Sequence, residues 1–166
     1  MKKNNLDLNS RKNHGIARTP SGYEEKVVEV KRVSRTVKGG RRIRFRALVV
    51  VGNRRGKVGM GIGKASEVAT AVKTASEYAR RHLIEVEIKN DTIPHEVEVS
   101  HAGAKLIIKP AGPGTSVIAG GSVRAVIELA GYKNILSKIL GTNNKINNVK
   151  ATLVALKNFK KPTENI

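Results

Sequence analysis

Alternating apolar and polar positions dominate the first half of the chain. Valines separated by polar residues at 28–33 predict one β-strand, and the apolar run at 44–51 predicts a second that enters the core. Apolar residues alternate with glycine at 58–62, which predicts a third strand. Glycine-containing segments at 37–41 and 52–56 predict turns, because glycine adopts the positive φ angles that tight turns need.

The third predicted strand has a face without side chains, formed by Gly59, Gly61 and Gly63. Such a face lets a helix or an RNA backbone come very close. A helix follows, with Ser66 as the predicted N-cap and Leu83 near its end. Its predicted apolar face consists of Val68, Val72, Ala75, Ala79 and Leu83. The first unit is therefore predicted as β-β-β-α, a sheet backed by one amphipathic helix.

A second unit with a different pattern begins near residue 84. Its predicted strands are residues 84–89, 95–100, 105–109 and 135–140, and its predicted helices are residues 122–130 and 147–159. The order β-β-β-α-β-α predicts a two-layer α/β sandwich, so the whole chain is expected to be α+β.

The two ends of the chain differ from these units. Residues 1–22 are polar, basic and rich in asparagine, and they cannot offset their ordering entropy by burial. We therefore predict a disordered arm at 1–22, a first domain at 23–83, a second at 84–159 and a flexible tail at 160–166.

The charge distribution points to a polyanionic partner. The chain of 166 residues has 32 Lys and Arg against 13 Asp and Glu, a net charge of +19. Residues 1–83 hold 21 of these basic residues and only 6 acids, whereas residues 84–166 hold 11 and 7. An excess of this size destabilises a compact chain unless an anionic partner neutralises it. The first half is expected to contact that partner, and the second half to pack, dock or scaffold.

Several function classes are disfavoured by composition. The chain has no cysteine, which excludes disulfides and thiolate metal sites and suggests a reducing compartment. No apolar run approaches the roughly 20 residues that cross a bilayer, and the N-terminus lacks the apolar region of a signal peptide. We therefore expect a cytoplasmic protein without a membrane partner.

The strongest motif is a basic hairpin at residues 31–46, where eight of sixteen residues are Lys or Arg and none is acidic. Its glycine turn, Gly39-Gly40, lets backbone amides reach phosphate oxygens. If the hairpins stack in order, a second basic turn is expected at the same end of the sheet. Lys64 and the start of the helix are expected either to hold one phosphate of RNA or to serve packing alone. The predicted RNA-binding residues are Lys31, Arg32, Arg35, Lys38, Gly39, Gly40, Arg41, Arg42, Arg44, Arg46, Arg54, Arg55, Lys57 and Lys64.

The aromatic content indicates how RNA would be recognised. Only 3% of the residues are aromatic, and no two form a pair on a predicted strand. This disfavours base stacking, as on single-strand platforms, and favours contacts to the backbone and shape of folded RNA.

The sequence gives little support for catalysis or metal binding. The glycines at 59–63 precede Lys64 with the wrong spacing for a nucleotide-binding loop. A glycine-rich segment at 110–122 is similar to the phosphate loop of small-molecule kinases, but no acidic residue nearby has a recognisable setting for magnesium. No two of the four histidines lie at metal-ligand spacing on a helix. We expect no catalysis, no metal and no cofactor. A kinase and a free-standing double-stranded-RNA-binding regulator are the alternatives.

Several motifs resemble the family of bacterial small-subunit ribosomal protein five. They include RVSRTVKGGR at 32–41, ALVVVG at 47–52, GIGKA at 61–65, IAGG at 118–121 and RAV at 124–126. The resemblance runs in register over about residues 24–159. Two positions depart from it: Ser116 stands where the family usually has glycine, and the turn at 53–55 is more basic than usual.

The resemblance implies a double-stranded-RNA-binding-like first domain and a second α/β domain with a left-handed crossover. It implies a structural protein of the small (30S) ribosomal subunit, a monomer within the ribosome. Such a protein binds 16S rRNA, supports assembly and decoding accuracy, and lies near the place where mRNA enters. Proteins four and eight of the small subunit are its implied neighbours. The residues implied for the interface with protein four are Gly112, Gly114, Thr115, Ser116 and Arg124.

Overall fold

The computed structural model describes residues 16–18 and 22–159. The strands are β1 (Ile16–Arg18), β2 (Glu24–Val37), β3 (Gly40–Gly52), β4 (Lys57–Ala65), β5 (Ile84–Glu85), β6 (Val97–His101), β7 (Ala104–Pro110), β8 (Val117–Ile118) and β9 (Ile135–Ile139). The helices are α1 (Val68–Arg81), α2 (Gly121–Ala130) and α3 (Lys145–Asn158).

The first sheet has the order β1-β2-β3-β4-β5, and every neighbouring pair is antiparallel. Strands β2, β3 and β4 and helix α1 confirm the predicted β-β-β-α unit. The strand predicted at 84–89 as the start of the second unit is wrong. Only Ile84 and Glu85 are extended, and they pair with β4 in the first sheet.

The glycine face of β4 receives the helix, not RNA. A Cβ atom at Gly61 would collide with the carbonyl oxygen of Ala75, and one at Gly63 with that of Ala71. The helix therefore lies directly on the strand, and its buried side is narrow: Ala71, Ala75, Ser76 and Ala79.

Two predictions about α1 are corrected. Val68 begins the helix and is 41% exposed rather than buried, because the buried contacts with β4 start one turn later, at Ala71. The N-cap is Glu67 and not Ser66, and no side chain caps the helix there.

The second sheet has the order β6-β7-β9-β8, with α2 and α3 covering one face. Strand β8 runs parallel to β9, so α2 is the crossover between them. The predicted β-β-β-α-β-α order holds, but its strands are shifted. The predicted second and third strands are β6 and β7, the strand before α2 is the unpredicted β8, and residues 84–89 do not belong to this sheet. The left-handed sense of the connection through α2, which the resemblance implies, stays a prediction.

The two domains share one hydrophobic core. Leu48 and Val50 on the first sheet belong to the same buried cluster as Leu129 of α2 and Leu156 of α3. The first sheet is thus sandwiched between α1 and the second domain. Its domain also extends past the predicted boundary at residue 83, because the Val86 N–H donates to the Gly56 carbonyl at 2.7 Å.

The N-terminal arm is only partly described. Ile16–Arg18 lies within the segment predicted to be disordered, yet it forms β1 and pairs with Glu24–Lys26 of β2. The rest of the predicted arm and the predicted tail at 160–166 lie outside the described residues. Within 16–18 and 22–159, no helix is long and apolar enough to cross a membrane, and no three acidic or histidine side chains are grouped as a metal site.

Candidate nucleic-acid interface

The basic hairpin is a two-stranded ribbon that projects beyond the sheet. Strands β2 and β3 stay paired up to Val37 and Gly40, whereas β4 ends opposite Phe45. The five residues of β3 beyond that point therefore rise about 16 Å without a third strand. We call residues 31–46 the basic ribbon.

The strand register sorts the cations of the basic ribbon onto two faces, because directly opposed residues in a sheet share a face. Arg35 lies opposite Arg42, and Lys31 opposite Arg46, which in turn lies opposite Lys64 of β4. This side, the cationic face, carries Lys31, Arg35, Arg42, Arg44, Arg46 and Lys64. The other side carries only Arg32 and Arg41, and Lys38 occupies the turn.

The cationic face has almost no compensating negative charge. Among the described residues its one carboxylate partner is Glu29, whose Oε2 lies 3.6 Å from the Lys31 Nζ. A hollow of about 330 Å³ is lined by the side chains of Arg35, Arg42, Arg44 and Lys64. Like charges held this close repel one another, so an anion that enters the hollow is attracted by several cations at once.

The tip of the basic ribbon is open to a ligand. Gly40 has φ of +138°, and a Cβ atom on Gly39 or Gly40 would meet nothing within 4 Å. The predicted glycine turn is confirmed. The contact of its amides with phosphate stays a prediction.

The second basic turn lies at the opposite end of the sheet, so its predicted position beside the basic ribbon is wrong. Consecutive antiparallel hairpins reverse direction, which places the β2–β3 turn and the β3–β4 turn at opposite ends. Its cations are also engaged. The Arg54 Nε lies 2.7 Å from Glu24 Oε2, and the Lys57 Nζ lies 3.0 Å from Glu85 Oε1. The hydrogen bond from Lys57 to Glu85 raises the pKa of that lysine.

This second turn is a joint between the domains. The backbone N–H of Arg54 donates to the Leu129 carbonyl, and that of Gly56 to the Ala130 carbonyl, both at 2.9 Å. These bonds satisfy carbonyls at the end of α2 that have no partner within the helix. Arg55 is the exposed member of the turn without a salt bridge among the described residues.

Lys64 does not act together with the start of α1. It belongs to the cationic face, whereas α1 packs on the other face of β4. The helix start also carries Glu67, whose negative charge opposes anion binding there. The predicted phosphate site between Lys64 and this helix is therefore wrong, although Lys64 itself lines the hollow.

The predicted protein-contact residues lie on an exposed loop and on α2. Gly112, Gly114 and Thr115 are exposed, and Gly114 has φ of +91°. Ser116 has φ of +67°, a left-handed conformation that favours the glycine implied at this position by the resemblance. Arg124 is exposed on α2, and its Nη2 donates to the Val117 carbonyl at 3.0 Å. Their role in protein contact stays a prediction.

A crevice that the sequence analysis missed continues from the cationic face. It measures about 420 Å³ and lies between β2 and the first turns of α2 and α3. Lys26, Gly121, Lys145 and Asn148 are among its lining residues. No sequence signal could reveal it, because these residues come from three separate segments that only the fold brings together. We call it the α2 crevice.

Comparisons with known proteins agree with this architecture. The family model described as "Ribosomal protein S5, N-terminal domain" matches residues 23–87, and "Ribosomal protein S5, C-terminal domain" matches residues 99–166. Three relatives are each named small ribosomal subunit protein uS5. The one from Thermus thermophilus is 53% identical over 138 residues, 83% of this chain and 85% of the relative.

The other two relatives come from distant bacteria. The protein from Thermotoga maritima is 51% identical over 140 residues, covering 84% of this chain and 79% of the relative. The protein from Nostoc punctiforme is 50% identical over 143 residues, covering 86% and 82%. The matches include both domains, so they extend well beyond the basic ribbon.

Proposed function

We propose that this chain, which belongs to the ribosomal protein S5 family, is a structural component of the small subunit of the bacterial ribosome, in the cytoplasm. Its membership of a family of structural ribosomal proteins agrees with the prediction that it is not an enzyme. The similarity of the segment at 110–122 to a kinase phosphate loop then reflects the loop and helix alone.

The observation that carries the proposal is the cationic face of the basic ribbon. Six cations share this face, and one carboxylate among the described residues compensates them. Each phosphate that they neutralise releases about 0.9 counterion, which is the sequence-independent source of affinity for nucleic acid. The ribbon projects from the sheet, so it can reach into folded rRNA rather than lie on its surface.

The finer assignment concerns partners. We infer that the RNA is 16S rRNA and that the exposed loop at 112–116, with Arg124, contacts protein four of the small subunit. Protein eight and the mRNA near its place of entry are the other inferred neighbours. Exposure of the loop supports this assignment, because a protein contact needs an accessible surface.

The free-standing double-stranded-RNA-binding regulator is not favoured. A regulator of that kind needs only the first domain, whereas the family assignment spans both. The shared core also makes the second domain an integral part of the chain.

The two faces of the basic ribbon offer a matched test. The variant Arg42→Ala/Arg44→Ala removes two charges from the cationic face, and Arg32→Ala/Arg41→Ala removes two from the opposite face. We expect the first variant to lower affinity for a small-subunit rRNA fragment by about tenfold or more, since bonds to charged groups each contribute about 1.5 to 3 kcal/mol. Its salt dependence becomes shallower by about two units of slope.

The control variant has the same net charge, so it separates position from charge. We expect its affinity to fall by less than about threefold and its salt slope to change by less than one unit. Equal losses in the two variants would show non-specific attraction rather than a binding face. Sedimentation adds an independent readout: in a cell lysate, the wild-type chain is expected in the small-subunit fractions of a sucrose gradient.

A further inference from the structure

The first turn of α2 presents backbone donors to the α2 crevice. The N-cap is Gly120, which provides no side-chain cap, and the turn contains no acidic residue. Among the described residues, no acceptor is bonded to the N–H groups of Gly121, Ser122 and Val123. A Cβ atom at Gly121 would meet nothing within 4 Å, so there is open space beside Gly121; Gly121 and Ser122 line the crevice, whereas Val123 is fully buried. Free amides at the positive end of a helix favour an anion such as phosphate.

A second observation at the same crevice indicates a different kind of contact. Asn148 of α3 is 1% exposed and lines the crevice. Its Nδ2 donates to the Thr142 carbonyl at 3.1 Å, which fixes the amide orientation. Its Oδ1 is buried without any hydrogen-bond partner. Leaving a buried acceptor without a donor costs stability, so this oxygen needs a donor.

The α2 crevice adjoins the cationic face. Glu29 joins them, because its Oε1 lies 3.3 Å from the Nζ of Lys145 in the crevice and its Oε2 lies 3.6 Å from the Nζ of Lys31. Glu29 and Lys31 also share the side of β2 that faces the second domain. The two surfaces are therefore neighbours on the same side of β2, with Glu29 between their lysines.

We propose that the α2 crevice is a subsite for one nucleotide of the RNA backbone. The first-turn amides of α2 bind the phosphate, and the ribose 2′-hydroxyl donates to the Asn148 Oδ1. This inference rests on the proposed function and extends it, because phosphate alone does not distinguish RNA from DNA, whereas the 2′-hydroxyl does. The cationic face supplies affinity, and the α2 crevice supplies recognition of ribose.

The phosphate contact is tested by Gly121→Asp in the full chain. The substituted side chain has room, and a carboxylate in the first turn stabilises the helix, so the variant should fold. We expect affinity for an rRNA fragment to fall about fivefold to tenfold. Ser100→Asp is the matched control, because it adds the same charge to an exposed position on β6, on the opposite face of the strand from the buried Val99. Equal binding by the two variants overturns the phosphate contact.

The ribose contact is tested by 2′-deoxy interference. An rRNA fragment with sparse 2′-deoxy nucleotides is divided into bound and free fractions, and the positions where a missing hydroxyl weakens binding are mapped. We expect Asn148→Leu to lose one such position, changing its interference at least threefold and leaving the others as in the wild type. Asn148→Asp keeps an acceptor oxygen and should retain that position in the interference pattern, while its added negative charge lowers the overall affinity, as in Gly121→Asp. Thermal unfolding confirms that both variants fold.

The outcomes separate the two proposals. If Arg42→Ala/Arg44→Ala binds rRNA like the wild type, the proposed function itself fails. If that variant weakens binding but Asn148→Leu retains the full interference pattern, the subsite proposal is wrong and the Asn148 oxygen is satisfied by water alone.

Discussion

The two basic turns of the first sheet have opposite roles. The turn at 38–39 ends the basic ribbon, and its neighbouring arginines have no carboxylate partner among the described residues. The turn at 53–56 is equally basic, but its Arg54 is paired with Glu24 and its amides bind the end of α2. The first turn leaves its cations available for an external anion, whereas the second turn is bonded to other parts of the protein.

This difference shows that local charge does not by itself define a binding site. What matters is whether the fold supplies the counter-charge. At the second turn the fold supplies it, through acidic residues at the start of β2 and in β5. At the basic ribbon only Glu29 is available, and it is shared with Lys145 of the second domain. We therefore expect an RNA backbone to complete the charge balance at one end of the sheet and not at the other.

The largest expected effect on stability comes from adding a side chain in the turn at 53–56, which is hydrogen-bonded to the end of α2. Gly56 has φ of +88°, and its Cβ would lie 2.7 Å from the Val86 carbonyl oxygen. We expect Gly56→Ala to destabilise the fold by about 2 to 4 kcal/mol, because it adds backbone strain and a steric clash at the joint. Urea unfolding measures the loss.

The matched control is a substitution in the turn at 38–39, which ends the basic ribbon. Gly39→Ala meets nothing within 4 Å and lies outside the positive-φ region, so stability should stay unchanged or rise by up to about 1 kcal/mol. A comparable loss in both variants would mean that the two turns are equally constrained.

A smaller effect on stability is expected at the buried Tyr132, which lies close to the turn at 53–56. The Tyr132 hydroxyl donates to the Glu87 carbonyl at 2.7 Å, and burial raises the pKa of Tyr132 from 10.0 to about 12. At pH 7, Tyr132→Phe should lose about 1 kcal/mol, because it leaves that carbonyl without its donor.

The pH dependence gives this prediction its sign. In the unfolded chain the tyrosine loses its proton near pH 10, whereas in the fold it keeps the proton until about pH 12. The stabilisation is therefore complete below pH 10 and declines between pH 10 and 12. The stability gap between the wild type and the phenylalanine variant should close over that interval, and a constant gap would contradict the assignment. Denaturant unfolding at several pH values measures it.

The smallest effect tests the internal ion pair. Arg54→Ala should lower stability by about 0.5 to 1 kcal/mol, since half of the arginine side chain is exposed to solvent. Its rRNA affinity and salt slope should match the wild type. A salt slope as shallow as that of Arg42→Ala/Arg44→Ala would place the second turn in the RNA interface after all.

Local patterns predicted most of the fold. Alternation identified β2, β3 and β4, and apolar spacing identified α1, α2 and α3, because both reflect which side of an element is buried. The wrong predictions concern how the strands pair with one another. Residues 84–89 have a strand-like composition, but only two of them find an edge to pair with. The short β8 forms because β9 provides a parallel neighbour, which composition does not encode.

The sequence predicted which residues make the basic ribbon cationic, but not which of them share the cationic face. The basic ribbon was identified because eight cations without acids are conspicuous in a sequence. Which of them share a face depends on the β2–β3 register, so Arg41 and Arg42 were grouped although they lie on opposite faces. The position of Arg54 could have been predicted, since a meander reverses at every turn. The unpartnered Asn148 could not, because its neighbours come from distant segments.

The shared core has a consequence during synthesis on the ribosome. Once β4 has been made, the face of the first sheet with Leu48 and Val50 has no cover until α2 is complete at Ala130. At roughly 5 to 20 residues per second, the delay is on the order of 3 to 13 seconds. During this interval the nascent chain displays an apolar sheet beside a cationic ribbon. A chaperone that shields apolar surfaces has its best opportunity then, and a stall between the two domains would leave an aggregation-prone fragment.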